Sequence, residues 1–596
     1  MRVSGLTGFA ILGALLGAPP LHETSVQLDV RVPMRDGVHL ATNIFRPELP
    51  GRLPTILLRT PYGKSNQITS LYRTFIEHGY AVVVQDVRGR YASEGNFEPL
   101  TQESSDGNDT LNWIAAQPWS DGNIGMTGGS YLGITQWKAA WVNNPHLKAI
   151  FPVVSGDDDY RDRFYSTGGA LKWGNRLLWT SENVRAEGFQ PPDFKQFVWT
   201  VPLRYADFAI SGERVGFLQT AWNHPTYDAY WKAISTREHL KDISVPVYSV
   251  GGWFDNFVQS DLDAFQTLRK KTGVNHILIG PWPHDMSSKI TTVDFGRAAA
   301  VPLRRIQIDW FDQWLKNKDV ALTAEPPVRI FVMGINQWRS EYEWPIARAH
   351  FAKYFLTSAG HANSLFGDGG LDGRVPRRKA PTDHYVYDPV KPVPTRGGSV
   401  CCNPAIFPWG PMDQHAVETR PDVLVYSTPV LEEDLEVTGP ISLTMFIEST
   451  APDTDFTAKL VDVYPDGRAM NLTDGLLRTR YRESLEKPKL LIPGKPVKVT
   501  IDAGVTSNVF RKGHRIRLEV SSSNFPHFDR NPNTGAPIAD EKKLLKATQT
   551  IYHDRQHASY LTLPIVPAEP AARASGLTSI EPPRYVPKRI SPISVR

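Results

Sequence analysis

Short, unbroken apolar runs recur through the first half of the chain, and segments with helical spacing separate them. Apolar runs without alternation are typical of strands covered on both faces, as in a mainly parallel sheet. The pattern therefore predicts an α/β domain over residues 26–155 and 241–350. We expect its strands at 55–58, 81–84, 124–126, 149–154, 245–250 and 276–279.

Two local patterns add detail to the start of this domain. Residues 26–30 alternate with period two, and 34–37 (Met-Arg-Asp-Gly) read as a hairpin turn before the next strand. Leu111, Ile114 and Ala115 have helical spacing, and Asn108 or Asp109 is the predicted cap of that helix.

The strand series is interrupted by an aromatic-rich segment at 156–240. Sixteen of its 85 residues are Phe, Trp or Tyr, against 11% for the whole chain, and no strand pattern is visible. An insertion of this kind between two strands of a sheet favours a helical cap over an active site. The alternative is that these aromatic side chains only pack on one another.

After about residue 350 the hydrophobic period changes to two. Ile441, Leu443, Met445 and Ile447 alternate with small or polar residues, and further stretches of the same kind follow. This period predicts an antiparallel β-sandwich of jelly-roll type over 351–567. The remaining residues, 568–596, are rich in Pro and Arg without periodicity, which indicates a flexible tail.

The N-terminal segment 1–25 contains a compact apolar run at 6–16 behind Arg2. Its length suits the core of a signal peptide and is too short for a bilayer span. We expect a signal peptide and a secreted or periplasmic protein. A disordered N-terminal extension on a cytoplasmic protein is the alternative.

Composition narrows the range of functions. With 66 Lys and Arg against 62 Asp and Glu, the net charge of +4 and the lack of a basic stripe argue against nucleic acid as a partner. The two cysteines, Cys401 and Cys402, are adjacent, so they cannot link distant parts of the chain or supply a zinc site. No cofactor and no metal are predicted. The composition is compatible with a homo-oligomer.

The stretch with the clearest chemistry is 124–133 (Ile-Gly-Met-Thr-Gly-Gly-Ser-Tyr-Leu-Gly). A strand leads into Ser130, glycines flank the serine, and a helix pattern follows, which is what a nucleophile elbow requires. The second glycine, Gly133, comes one position later than in Gly-x-Ser-x-Gly. A glycine-flanked serine alone is also consistent with an ordinary tight turn.

Partners for such a serine follow in the order expected for an α/β-hydrolase. Asp255 lies just after the strand at 245–250, and His284 lies just after the strand at 276–279. Both residues come where loops leave the same edge of a parallel sheet. His276, at the start of a strand, is interpreted as structural.

Together these residues carry a family resemblance. Residues 128–133, 252–255 and 280–284 (Gly-Pro-Trp-Pro-His) resemble the CocE/NonD-type serine hydrolases, which include cocaine esterases, X-Pro dipeptidyl-peptidases, α-amino-acid ester hydrolases and cephalosporin acylases. Further matches are 32–37, 59–64, 86–90 and 521–526, and the likeness covers about 26–566. It implies an α/β-hydrolase domain, a helical cap and a C-terminal jelly roll.

The resemblance also implies residue roles. Ser130 is the expected nucleophile, His284 the general base and Asp255 the carboxylate that orients the imidazole. The amide N–H of Tyr131 is one expected oxyanion donor. The tyrosine of the Thr-Pro-Tyr-Gly stretch, here Tyr62, supplies its hydroxyl as the other. Asp86 and Arg88 are interpreted as residues that brace a loop.

The substrate is less well defined by the sequence. Amino-acid ester hydrolases of this family carry an acidic pair soon after the triad aspartate, and Asn256, Phe257 and Val258 stand there instead. The acidic cluster at the cap entrance is either a substitute amine site or a solvated loop; its members are Asp157, Asp158, Asp159 and Asp162. Trp253 and Phe254 are further candidates for the pocket wall.

We therefore expect a serine hydrolase, most simply an esterase, acting on small esters, amides or short peptides. An apolar pocket with few fixed charges would favour neutral, partly aromatic acyl groups over substrates with a free amine. The alternatives are dipeptidyl-peptidase or β-lactam acylase activity, or a carbohydrate-binding protein without catalysis. A metallohydrolase is disfavoured because no His-Glu-x-x-His or similar spacing occurs.

Overall fold

In a computed structural model of the chain, residues 23–567 are described, apart from 273, 291, 377 and 378. The apolar run at 6–16 and the predicted tail at 568–596 lie outside the described residues. No helix within the described residues is both long enough and apolar enough to cross a membrane.

The first part of the chain alternates between strands and helices. Its elements are β1 (Thr24–Pro33), β2 (His39–Pro47), β3 (Leu53–Thr60), α1 (Ser70–Glu77), β4 (Ala81–Asp86), α2 (Glu103–Ala115), β5 (Ser120–Gly129), α3 (Tyr131–Ala140) and β6 (Leu147–Val153). β1 and β2 form the predicted hairpin, closed by a hydrogen bond from the Met34 N–H to the Val38 carbonyl at 2.8 Å.

Short helices without a strand series follow β6. They are α4 (Trp173–Asn183), α5 (Phe194–Phe197), α6 (Ala206–Ser211), α7 (Gly216–Asn223), α8 (Ala229–Ile234) and α9 (Thr236–His239). Most of the aromatic side chains here are buried against one another, including Tyr160, Tyr165 and Trp231, whose ring centroids lie 4.5–6.1 Å apart. The aromatic enrichment is therefore explained chiefly by packing.

The chain then returns to the first sheet. The elements are β7 (Tyr248–Gly252), α10 (Val258–Thr272), β8 (His276–Gly280), β9 (Lys289–Ile290), β10 (Val293–Asp294), α11 (Leu303–Lys316), β11 (Val328–Val332) and β12 (Gln337–Glu341).

The central sheet has the order β1-β2-β4-β3-β5-β6-β7-β8-β11-β12. All pairs from β4–β3 to β8–β11 are parallel, so the carboxyl ends of β5, β7 and β8 meet at one edge of the sheet. Helices α1 and α11 cover one face, and α2, α3 and α10 cover the other. This is the double coverage that the unbroken apolar runs predict.

Two predicted boundaries are wrong. Helix α2 begins at Glu103, earlier than the predicted cap at Asn108 or Asp109, because Glu103 and Asp106 are buried in its first turn as partners of Arg59 and Arg88. Asp109 instead pairs with Arg35. Strand β7 begins three residues later than the apolar run, since Pro246 has no N–H to donate to a ladder.

The C-terminal part is rich in strands. They are β13 (His350–Thr357), β14 (Gly370–Asp372), β15 (Asp383–Tyr387), β16 (Leu424–Ser427), β17 (Leu435–Ser449), β18 (Asp455–Val463), β19 (Ala469–Arg478), β20 (Val497–Phe510), β21 (Arg515–Ser521), β22 (Ala547–Tyr552) and β23 (Tyr560–Val566), with helix α12 (His415–Glu418) before β16. Nearly all their pairings are antiparallel. The alternating apolar residues 441, 443, 445 and 447 are all buried on β17, as their period predicts.

The β-rich part contacts the segment that carries the short helices. The Gly174 N–H donates to the Pro526 carbonyl at 2.7 Å, and the Leu171 N–H donates to Asp529 at 2.8 Å. Asp529 also pairs with the buried Arg478 at 2.9 Å. These contacts hold helix α4 between the two sheets, above the carboxyl edge of the central one.

Candidate active site

Ser130 lies at the junction between β5 and α3. Its backbone has φ +56° and ψ −123°, a combination that non-glycine residues rarely adopt and that lifts the side chain away from the strand. A Cβ on Gly128 would lie 2.5 Å from that of Leu132, and one on Gly133 would lie 2.4 Å from that of Ser155. The late glycine is therefore required by close packing of α3 against the loop after β6.

The two predicted partners of Ser130 lie beside it. The Nε2 atom of His284 is 3.0 Å from the Ser130 Oγ, and its Nδ1 atom is 2.6 Å from the Asp255 carboxylate. Asp255 is fully buried, and its other oxygen accepts a hydrogen bond from the Phe257 N–H at 3.0 Å. The carboxylate is thus fixed in position, and it fixes the imidazole in turn.

Tyr62 comes from the loop after β3. About a third of the residue is exposed, at 36%, but its hydroxyl points into the site and accepts a hydrogen bond from the Trp179 indole at 3.1 Å. Burial raises the pKa of the Tyr62 hydroxyl, while hydrogen bonds with Trp179 and Ser130 act in the opposite direction. The Tyr62 hydroxyl therefore lies beside the serine.

Tyr131 contributes through two different groups. Its amide N–H is in the first turn of α3, where N–H groups have no partner within the helix. Its hydroxyl points elsewhere and donates to the Glu103 carboxylate at 2.8 Å. Glu103 is buried, which raises its pKa, and it pairs with Arg59 at 2.7 Å. This chain of contacts anchors the start of the helix.

A cavity of about 330 Å³ opens in front of Ser130. Its wall combines Tyr62, Tyr131 and His284 with residues from the short-helix segment and the β-rich part. Cys401 and Cys402, which lie in this wall, are joined to each other by a disulfide. As their adjacency predicts, these cysteines link no distant segments, and their place in the same cavity wall as Ser130 has no signal in the sequence.

The acidic cluster is not a solvated loop, and that interpretation is wrong. Asp157, Asp158, Asp159 and Asp162 are at most 5% exposed. Asp157 and Asp158 both pair with Arg237, at 3.1 and 3.2 Å, and Asp159 pairs with Arg163 and Lys138. Burial raises the pKa of Asp157 to about 7. These carboxylates hold the chain after β6 in place.

Of these four acidic residues, only Asp162 lies in the cavity wall. It accepts hydrogen bonds from the Asp158 N–H at 3.0 Å and from the Ser260 hydroxyl. Burial raises the pKa of Asp162 to about 6. A carboxylate that is already engaged in this way is a poor receptor for a substrate ammonium group.

The prediction that Trp253 and Phe254 line the pocket wall is wrong. Both side chains are fully buried and neither lies in the wall of the cavity. The Trp253 indole donates to the Phe331 carbonyl at 2.7 Å, and Phe254 packs against Phe295. The loop that presents Asp255 therefore places its two preceding aromatic side chains in the hydrophobic core.

Sequence reasoning missed the contribution of helix α4. Arg176, Trp179 and Asn183 lie in the cavity wall, and their spacing of three and four residues puts them on one helical face. The spacing of these residues predicts from the sequence alone that they share one face of a helix. It does not indicate that this face is turned toward Ser130.

The fold is that of the α/β-hydrolase class, and Ser130, Asp255 and His284 stand in the chain order that serine hydrolases of this class use. Residues 36–285 match the X-Pro dipeptidyl-peptidase family (S15), and residues 320–562 match the X-Pro dipeptidyl-peptidase C-terminal non-catalytic domain. A cocaine esterase from Rhodococcus sp. (strain MB1 Bresler) is 40% identical over 571 residues, covering 91% of this chain and 99% of that protein.

Two solved structures have the same architecture. An aminopeptidase from a marine sediment Thaumarchaeota archaeon aligns with a TM-score of 0.80 at 27% identity, covering 94% of this chain and 99% of that one. An α-amino acid ester hydrolase aligns with a TM-score of 0.79 at 26% identity, covering 94% and 100%. The chain belongs to the family of CocE/NonD-type serine hydrolases with S15 peptidase and C-terminal non-catalytic domains.

Proposed function

We propose that the protein is a serine esterase in which Ser130 is the nucleophile, His284 the general base and Asp255 the orienting carboxylate. The observation that carries this proposal is the continuous pair of contacts from Ser130 Oγ to His284 Nε2 and from His284 Nδ1 to Asp255, at 3.0 and 2.6 Å. The strained backbone of Ser130 supports it, because strain of this kind persists at functional sites.

The reaction follows from this geometry. Ser130 Oγ attacks the ester carbonyl carbon while its proton passes to His284 Nε2. The carbonyl oxygen becomes an oxyanion, for which the Tyr62 hydroxyl and the Tyr131 N–H are the proposed donors. Collapse breaks the bond to the alcohol oxygen, which takes the proton from His284. Water, deprotonated by His284, then attacks the acyl-enzyme and releases the acid and Ser130.

The cavity wall supports esters without a free α-amino group as substrates. Of its two carboxylates, the buried Asp162 already accepts two hydrogen bonds from protein groups, and Glu182, which accepts one from Asn403 at 3.0 Å, is exposed to solvent. Burying an ammonium group without a counterion costs several kcal/mol, on the order of a thousandfold in affinity. Dipeptidyl-peptidase activity, which requires a free amine, is therefore the less favoured alternative.

The test combines covalent labelling with a substrate comparison. A fluorophosphonate probe should label the wild-type protein at Ser130 and leave Ser130→Ala unlabelled. Wild-type protein that has not been treated with the probe should turn over p-nitrophenyl esters faster than X-Pro anilides. Absence of labelling would favour the carbohydrate-binding alternative, and faster anilide cleavage would favour the dipeptidyl-peptidase.

A further inference from the structure

The cavity beside Ser130 contains an arginine without an acidic partner. Arg176 is part of the wall, and its Nε and Nη2 atoms donate to the Arg163 carbonyl at 3.2 and 2.7 Å. Among the described residues, no Asp or Glu oxygen lies within 4.0 Å of its guanidinium. A half-buried guanidinium with a backbone carbonyl as its acceptor retains free donors and a positive charge without a direct ion pair.

Two carboxylates lie in the cavity wall, Asp162 and the exposed Glu182, and neither pairs with Arg176; Glu182 accepts a hydrogen bond from Asn403 at 3.0 Å. Asp159 pairs with Lys138 and Arg163, and Glu103 pairs with Arg59. Asp162 accepts from Ser260 and from a backbone N–H. Asp159 attracts Arg176 only from beyond ion-pair distance, so among the described residues a direct carboxylate partner is left to whatever occupies the cavity.

Aromatic rings hold the guanidinium in position. Its Cζ atom lies 4.5 Å from the ring centroid of Phe164 and 5.4 Å from that of Trp179. Contacts of this kind fix an arginine without neutralising it. Burial and the neighbouring Arg163 lower the pKa of Arg176 to about 10, which leaves the side chain protonated near neutral pH.

Arg176 and Ser130 lie in the wall of the same cavity. Trp179, which Arg176 contacts, donates its indole N–H to the Tyr62 hydroxyl, and that hydroxyl interacts with Ser130. A substrate acylating Ser130 and extending into the cavity by a few carbon atoms would therefore meet the guanidinium.

We propose that Arg176 is a specificity-determining residue that binds a carboxylate on the acyl group, so that the preferred substrates are monoesters of dicarboxylic acids. Arginine suits this role because its planar fork matches the two oxygens of a carboxylate. The inference rests on the proposed esterase function and names its substrate class. It also replaces the expectation of a pocket with few fixed charges and neutral acyl groups.

Arg176 has one rival role. Its charge also acts on the Tyr62 hydroxyl, and it could strengthen that hydroxyl as an oxyanion donor without touching the substrate. The two roles differ in a measurable way. Support of the oxyanion would affect every ester equally, whereas carboxylate binding would affect only acidic esters.

The experiment compares two esters of equal chain length, monomethyl glutarate and methyl pentanoate, by proton release at constant pH. Monoesters with one and two further methylene groups are included to vary the reach. The proteins are wild type, Arg176→Gln, Arg176→Lys and, as a control, Arg374→Gln, whose arginine is exposed on the β-rich part and pairs only with Asp372 among the described residues.

Carboxylate recognition predicts that the ratio of kcat/KM for the acidic ester to that for the neutral ester falls about 10- to 100-fold in Arg176→Gln. Arg176→Lys should keep part of this ratio, and Arg374→Gln should keep all of it. In the wild type, glutarate should inhibit more strongly than pentanoate, which tests the site even if a variant misfolds.

An unchanged ratio in Arg176→Gln would overturn the proposal, as would equal losses on both esters or stronger inhibition by pentanoate. If the wild type hydrolyses neither ester and fails to react with the fluorophosphonate, the proposed esterase function itself is wrong. The two failures are therefore distinguishable.

Discussion

The indole N–H of Trp179 donates a hydrogen bond to the Tyr62 hydroxyl oxygen at 3.1 Å. Trp179 comes from helix α4 of the short-helix segment, and Tyr62 comes from a loop of the central sheet. Because the indole can only donate, the Tyr62 oxygen accepts this bond and its own proton is left to point toward the serine. Trp179 of the short-helix segment thus orients the Tyr62 hydroxyl, which comes from a loop of the central sheet.

This contact gives a first prediction for Trp179→Phe. The ring keeps its packing against Tyr131, but the donor is lost, so the Tyr62 hydroxyl is less well oriented. We expect kcat for ester hydrolysis to fall about 3- to 10-fold, the worth of one neutral hydrogen bond, with little change in KM. A variant with unchanged kcat would show that the contact has no catalytic consequence.

Removal of the hydroxyl itself should have a larger effect. If Tyr62 donates to the oxyanion, Tyr62→Phe should lower kcat by about 10²- to 10³-fold and change KM less. Tyr80→Phe is a matched control, because it removes a buried hydroxyl that donates to Asp312 at 2.7 Å on helix α11. That control should lower the melting temperature and leave kcat nearly unchanged. The same result for Tyr62→Phe would assign Tyr62 a structural role.

Ser130→Ala should abolish most of the turnover. We expect a loss on the order of 10³-fold or more in kcat, because no acyl-enzyme can form. Circular dichroism and the melting temperature should stay close to those of the wild type, since the alanine keeps the backbone turn. Stopped-flow release of p-nitrophenol should show a burst in the wild type and none in the variant. Full activity of the variant would refute the assignment.

His276 should make folding stability depend on pH. Burial lowers the pKa of His276 to about 4, from 6.5; the ring stacks on Tyr248 and makes an edge-to-face contact with Trp310. Between these two values the unfolded chain binds a proton that the folded protein excludes, so this contribution to stability is lost as the pH falls. When the pH is lowered from 7.5 to 5, the free energy of unfolding should fall by about 2 kcal/mol less in His276→Phe than in the wild type.

Urea unfolding at the two pH values measures this difference. Tyr248→Phe is the control, because it changes the stacked neighbour without removing a group that titrates between pH 4 and 6.5. It should show the same loss as the wild type on acidification. An equal loss in His276→Phe would exclude this histidine as a source of the acid sensitivity.

The sequence by itself determined the local elements whose pattern depends on neighbours along the chain. The unbroken run at 81–84 predicts a doubly covered strand, and β4 is that strand. The alternation at 441–447 predicts a half-buried strand, and β17 has this register. The sequence Pro465-Asp466-Gly467 is typical of a tight turn, and it joins β18 to β19 with Gly467 at φ +90°. The candidates Ser130, Asp255 and His284 were found in the same way, because each directly follows a strand.

Only the tertiary structure decided which residues those elements pack against. The helical spacing of Arg176 and Trp179 puts them on one face of α4, but packing against two sheets turns that face toward Ser130. The acidic residues around Asp159 read as a solvated loop until Lys138 of α3 and Arg237 of α9 are brought to them from other elements. Periodicity specifies which side chains share a face. The Lys138 and Arg237 partners of these buried charges lie 21 and 80 residues away in the chain, and the sequence pattern carries no record of such contacts.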